Sequence, residues 1–255
     1  MKIRSRQISI VYIVALVLSS CSANGSDESL GSAASNGEID EVLLEYRARQ
    51  ELALEGSPDL QLQVFLFYFE NRSELADKKD ESLEYLRKSA SAGLPEAEFT
   101  MGVLFDEGDV LPKSSRSASE WFERAAKQGH SKAKYHAGDV LYRRYLAIEE
   151  ESEKEKAFSE AEYWWAKLAE DKATESQLNK LARYRLALAY AGRLIIDERA
   201  WRILFELADQ GFQPAIESIG ELRGFLVQGL NEGIAEVQPT LEMVDAFMDS
   251  RGVEQ

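Results

Sequence analysis

A short phrase recurs along this chain, and it restricts the possible folds more than any other feature. Ser89-Ala90-Ser91-Ala92-Gly93-Leu94-Pro95-Glu96-Ala97 is followed 36 residues later by Ala125-Ala126-Lys127-Gln128-Gly129-His130-Ser131-Lys132-Ala133. It returns as Leu207-Ala208-Asp209-Gln210-Gly211-Phe212-Gln213-Pro214-Ala215. A small residue lies five positions past the last alanine each time, at Gly102, Gly138 and Gly220. Upstream, Ser82 and Tyr85 correspond to Ala118 and Trp121, to Ala161 and Trp164, and to Ala200 and Ile203. Each position has a mechanical reason. Gly93, Gly129 and Gly211 are placed to leave a helix through a left-handed backbone. Pro95 and Pro214 sit at a helix start, where a missing N–H costs little, and Ser131 is placed to cap the corresponding helix. Ala97, Gly102, Ala118 and Ala126 are small where two helices approach, while Tyr85, Leu86, Trp121 and Phe122 supply apolar bulk. From about Glu38 onward, helix formers dominate and no alternating apolar–polar run suggests a strand.

One helix pair cannot bury its own apolar faces, so the units must stack. The expected fold is all-α, an α-solenoid of stacked helix-turn-helix repeats. The rhythm from Ala118 to Gly129, with Trp121 and the Ala125-Ala126-Lys127-Gln128-Gly129 ending, resembles a Sel1-like repeat, a relative of the tetratricopeptide class. The stretch Ala97-Glu98-Phe99-Thr100-Met101-Gly102-Val103-Leu104-Phe105 is similar to that family's leading half, with Phe105 where the family carries tyrosine. The resemblance is strongest over residues 80–138. It implies non-catalytic adaptor or scaffold work, and similar repeats occur in lipoproteins that assist polysaccharide export or outer-membrane assembly.

The repeat also departs from its own period. Ala126 to Ala169 is longer than one unit, and the extra residues fall in Arg143–Lys156, as a helix extension or a mobile loop. After Ala169 no linking glycine follows; Asp171-Lys172-Ala173-Thr174 stands there, and Ala187 replaces a glycine in the helix expected over Leu181–Tyr190. A weaker unit is expected over Glu45–Asp77, with Gly56 and Pro58 in its turn. A terminal helix is expected over Leu230–Met248, with Leu241, Val244, Phe247 and Met248 on one face. The solenoid is therefore placed at residues 38–228, in about four to five units. A capping helix and tail occupy residues 229–255.

The first residues read differently. Lys2, Arg4 and Arg6 precede an apolar run, Ile8–Leu18, and Leu18-Ser19-Ser20-Cys21 follows. A membrane-crossing helix needs about 20 apolar residues, and this run is too short. A basic head, a short apolar core and small residues are the pattern of an export signal, expected here over residues 1–20. Leu18-Ser19-Ser20-Cys21 resembles the lipobox of bacterial lipoproteins, which implies a lipid on Cys21 as the new N-terminus. Cys21 is the only cysteine, so it has no partner for an internal disulfide. Residues 21–37, rich in Ser, Gly, Ala and Asn, read as a flexible tether. Ser22, where the family's sorting rule has aspartate for inner-membrane retention, is compatible with a lipid-anchored protein of the cell envelope, at the outer membrane and facing the periplasm.

With 45 acidic against 30 basic residues and a formal charge of -15, the chain lacks the basic face that nucleic acid demands. The same charge opposes adhesion of the folded body to an anionic bilayer. The two histidines, His130 and His136, are not one helical face apart, and no phosphate loop or nucleophile elbow is present. No catalytic residue, metal site or cofactor is expected, and the chain reads as a non-enzyme. The candidate partner-binding residues are Tyr142, Arg143, Arg144 and Tyr145, a basic–aromatic patch in an acidic chain, together with Trp165 of the Tyr163-Trp164-Trp165 cluster. Core packing is the competing assignment for those tryptophans. The expected function is an envelope scaffold for a protein or peptide partner, held to the membrane by its lipid. The alternative is a peptidoglycan or polysaccharide binder assisting cell-wall or export machinery.

Overall fold

The structure, a computed structural model, describes residues 36–171 and 177–252. The expected signal, Cys21 and nearly all of the expected tether lie outside the described residues. Among the described residues the chain is helical, with two short 3₁₀ turns and no strand. The order is α1 (Asn36–Ala53), α2 (Pro58–Glu70), α3 (Lys79–Ser91), α4 (Pro95–Glu107), α5 (Ser115–Lys127), α6 (Ser131–Ala147) and α7 (Glu151–Ala169). Then come α8 (Gln177–Arg193), α9 (Glu198–Asp209), α10 (Gln213–Asn231) and α11 (Gln238–Asp249). The chain separates into two compact units, one ending at Trp164 and the other running from Trp165. No helix among the described residues is long and apolar enough to cross a membrane.

In the first unit each helix from α1 to α6 packs on its neighbours in sequence, and α4 also touches α6. Contact between one helix and the next but one is how repeats stack. The turns follow one design. Gly93 (φ 85°) donates its N–H to Ala90 O at 3.0 Å, and Leu94 N–H reaches Ser89 O at 3.3 Å. Gly129 (φ 94°) bonds Ala126 O at 3.0 Å, with His130 N–H on Ala125 O at 3.2 Å. This crossed pair satisfies the last carbonyls of a helix and reverses the chain through a left-handed residue. Pro95 opens α4 as expected. The weak first unit is present too, with Gly56 at φ 81° and Pro58 starting α2. Between α4 and α5 the approach is close enough that a Cβ on Gly102 would lie 2.5 Å from Phe122 Cδ1.

The extra residues of the long unit lengthen helices rather than forming a loop. α6 has 17 residues and α7 has 19, against 13 each for α4 and α5. The acidic run begins α7. Glu150 accepts from the Glu153 N–H at 3.0 Å and from the Ser152 hydroxyl at 2.6 Å. Glu151 and Glu153 lie in the first turn, where the helix dipole favours negative charge.

In the second unit α8, α9, α10 and α11 pack in succession, and α11 also touches α9. The Gly211 turn repeats the crossed bonds, to Ala208 O at 2.9 Å and from Phe212 N–H to Leu207 O at 3.0 Å. Where the glycine after Ala169 is missing, a side chain takes over. Asn179 Nδ2 donates to Leu168 O at 3.1 Å and Ala169 O at 2.8 Å. Every residue of α8 from Tyr184 to Ala191 is buried, and Ala187 fits where glycine stood in other units.

Two expectations need correction. The terminal helix does not begin at Leu230, because α10 continues to Asn231. The crossed-bond turn of Gly93, Gly129 and Gly211 then recurs at Gly233 (φ 85°), with Ile234 N–H on Gly229 O at 2.9 Å. α11 starts only at Gln238, and the 228/229 boundary cuts α10. Likewise α1 starts at Asn36, inside the expected tether. Leu241, Val244 and Met248 are buried as expected, while Phe247 is half-buried and stacks on Phe205 at 4.0 Å.

Candidate functional site

The basic–aromatic patch at the end of α6 lies in the first unit, and packing consumes most of it. Tyr142 is buried, and its ring stacks on Tyr145 at 5.4 Å. Tyr145 meets Phe158 of α7 edge-on at 5.2 Å, and the Lys154 ammonium stands 5.3 Å over its ring. Arg143 Nη2 donates to both carboxylate oxygens of Asp106, at 2.6 and 2.7 Å. The surface patch is therefore reduced to Arg144 and the partly covered edge of Tyr145. Arg144 borders a polar recess of about 210 Å³ with Glu153, Lys156, Ala157 and Glu160. Trp165 is corrected outright as a surface contact: it is 1% exposed, and Trp164 is buried as well. The exposed aromatic of that cluster is Tyr163, at 52%. Helical period explains this, since Trp164 and Trp165 take the places of Trp121 and Phe122 in the repeat.

The two histidines, unrelated by sequence spacing, meet on one ring. Phe99 of α4 stacks on His130 at 4.7 Å and takes His136 edge-on at 5.5 Å. His136 also stacks on Phe122 at 5.3 Å. His130, not Ser131, is the cap of α6: its Nδ1 accepts from the Ala133 N–H at 3.1 Å, while Nε2 faces Glu96 at 2.8 Å. A cap requires Nδ1 to carry no proton, so the Nε2 proton points at the Glu96 carboxylate. Burial holds His136 below the usual imidazole range, and Asp106 opposes that shift. Beside this cluster the Glu98 carboxylate is buried and accepts from Arg124 Nε at 2.9 Å and Gln128 Nε2 at 2.6 Å. Arg124 also lies 4.3 Å over the Trp121 ring. These contacts fasten α4, α5 and α6 together. No cluster of metal-ligating side chains occurs among the described residues.

The second unit holds a recess that sequence reasoning did not find. It measures about 200 Å³ and is lined by Ala208 of α9, by Ile216, Ile219 and Gly220 of α10, and by Phe247, Met248 and Arg251 at the end of α11. Arg251 pairs with Asp209 and lies 4.7 Å over the Phe247 ring. Gly220, Phe247 and Met248 were visible in the sequence as repeat and capping positions; their convergence on one cavity was not.

No family model matches the chain. A stretch of 77 residues is 29% identical to the chitin synthase regulator SKT5 of Saccharomyces cerevisiae, covering 30% of this chain and 11% of that protein. Among solved structures the chain is similar to a Sel1 repeat protein from Oxalobacter formigenes, at 25% identity and a TM-score of 0.42. That likeness covers 56% of this chain and 96% of the other. It is also similar to c5321, a protective antigen of uropathogenic Escherichia coli with an SLR fold, at 18% identity and a TM-score of 0.38. There it covers 81% of this chain and 49% of that one. The described residues of this chain form, by their own geometry, an array whose unit is a helix, a left-handed turn and a second helix.

Proposed function

We propose that this chain is a non-catalytic interaction scaffold, held in a bacterial envelope by a lipid on Cys21 and binding a protein partner through its helical repeats. The observation that carries this reading is the recurrence of one hairpin design at Gly93, Gly129 and Gly211, with α1 to α6 packed in succession in the first unit and α8 to α11 in the second. Such an array grows surface in proportion to its length, and that surface serves binding. The outer membrane, facing the periplasm, is the proposed location.

The test is cross-linking in intact cells followed by purification, comparing wild type with Cys21→Ser. A defined protein recovered with the wild type and lost with the variant supports the scaffold. A Cys21→Ser variant that stays in the membrane fraction overturns the lipid anchor.

A second reading, a peptidoglycan or polysaccharide binder assisting wall or export machinery, has one observation in its favour. This is the stretch similar to a protein named as a regulator of chitin synthase. Glycan fragments recovered in the same cross-linking, with no protein, would select it.

A further inference from the structure

The recess in the second unit is best understood from the repeat that built it. Gly220 holds the place in its unit that Gly102 holds earlier, five residues past the alanine that follows the turn. Over Gly102 lies the Phe122 ring, so near that a Cβ would be 2.5 Å from it. Over Gly220 a Cβ would meet nothing within 4 Å. The next helix, α11, supplies Phe247 and Met248 to the wall of the recess but no ring above the glycine. Phe247 is held aside by its stack on Phe205 and by Arg251, which Asp209 holds in turn. The place that a phenylalanine fills in one repeat is thus an open, apolar slot in another.

Its size identifies what fits. The slot measures about 200 Å³, whereas an apolar cavity of about 150 Å³ already takes up benzene. Pockets for cofactors and drug-sized ligands start at about 300 Å³. One aromatic ring fills it. Exposed Glu217 and Glu221 follow Ile216 and Gly220 along α10, in a chain of net charge -15. Arg251 in the wall is offset by its pair with Asp209, so Glu217 and Glu221 beside the recess leave its surroundings net acidic.

We propose that this slot is a socket for a single aromatic side chain of a partner protein, presented on a segment with basic residues beside the aromatic one. The partner's ring takes the place that Phe122 takes over Gly102. This inference rests on the scaffold reading above and names the point at which the scaffold holds its partner.

The experiment uses the full chain, labelled at its methionine methyl groups, and capped pentapeptides as probes. One peptide carries a central phenylalanine between lysines, a second has alanine at the centre, and a third has glutamates in place of the lysines. The phenylalanine–lysine peptide is expected to shift the Met248 methyl resonance saturably. The alanine peptide should bind at least tenfold more weakly, and the glutamate peptide more weakly than the lysine one. Gly220→Leu, at an exposed position with free space, is expected to abolish the Met248 shift while leaving the circular dichroism unchanged. Equal binding of the phenylalanine and alanine peptides, or unchanged binding to Gly220→Leu, overturns the socket. So does a Met248 signal that never saturates. Saturable shifts confined to Met101 or Met243 overturn the socket and leave the scaffold standing. Loss of every cross-linked protein in cells overturns the scaffold, whatever the peptides do. A change of oligomeric state in Gly220→Leu, seen by sedimentation, makes a second copy the occupant and also overturns the proposal.

Discussion

Gly102 and Gly220 occupy one place in the repeat, yet alanine should act on them with opposite signs. Replacing a helical glycine by alanine gains about 1 kcal/mol from backbone entropy alone. At Gly102 the new methyl carbon would stand 2.5, 2.6 and 3.0 Å from Cδ1, Cε1 and Cγ of Phe122. Carbon atoms pack best at about 3.5–4.0 Å, so the ring must retreat by roughly 1 Å. It has little room. Phe122 is fully buried, with Phe99 at 5.7 Å and His136 at 5.3 Å. Overpacking of this kind costs about 1–3 kcal/mol, and so short a contact belongs at the upper end. Gly102→Ala is therefore expected to destabilise the chain by about 1–2 kcal/mol net. Gly220→Ala meets nothing within 4 Å and is expected to stabilise it by about 0.5–1 kcal/mol. At about 2–4 °C per kcal/mol for a chain of this size, thermal unfolding separates the two variants, and urea denaturation gives the free energies. A cycle with Phe122→Leu isolates the clash: with the ring gone, adding Gly102→Ala should cost nothing further. If Gly102→Ala proves as stable as wild type, or the two glycines respond alike, the close approach of α4 and α5 is not as described.

Three further outcomes follow from the same contacts. Gly129 has φ 94° and free space around its Cα, so strain alone acts there; Gly129→Val should cost about 1–3 kcal/mol in urea denaturation, and an unchanged midpoint would refute the left-handed turn. Tyr46, buried and bonded to Ser82 at 2.7 Å, has its hydroxyl pushed up to about 12 from 10.0 by burial. The unfolded chain then ionises first, so stability should fall between pH 10 and 12 by about 2–3 kcal/mol from this group. Tyr46→Phe should flatten that slope in alkaline denaturation curves. His136, held below 6.5 by burial, has the opposite consequence. The unfolded state takes the proton first as pH falls through the ordinary histidine range, so stability declines toward acid and His136→Phe should reduce the decline.

Sequence alone determined the features set by local backbone chemistry. A left-handed turn needs glycine at Gly93, Gly129 and Gly211, and a helix start tolerates Pro95 and Pro214. Those requirements belong to single residues and recur with the repeat. The length of the insertion was equally plain, although its form was not. The turn at Gly233 escaped because Leu230 stands where the turns at Gly93, Gly129 and Gly211 carry alanine three residues before the glycine. What only the tertiary structure decided are the contacts between residues distant in the chain. Arg143 turned from candidate surface into the partner of Asp106, two histidines met on Phe99, and Asn179 replaced a missing glycine. Gly102 and Gly220 divide for the same reason. Nothing in either glycine or its neighbours states whether a ring from the next helix will arrive above it. That depends on the packing of whole helices, since each side chain takes whatever volume the others leave.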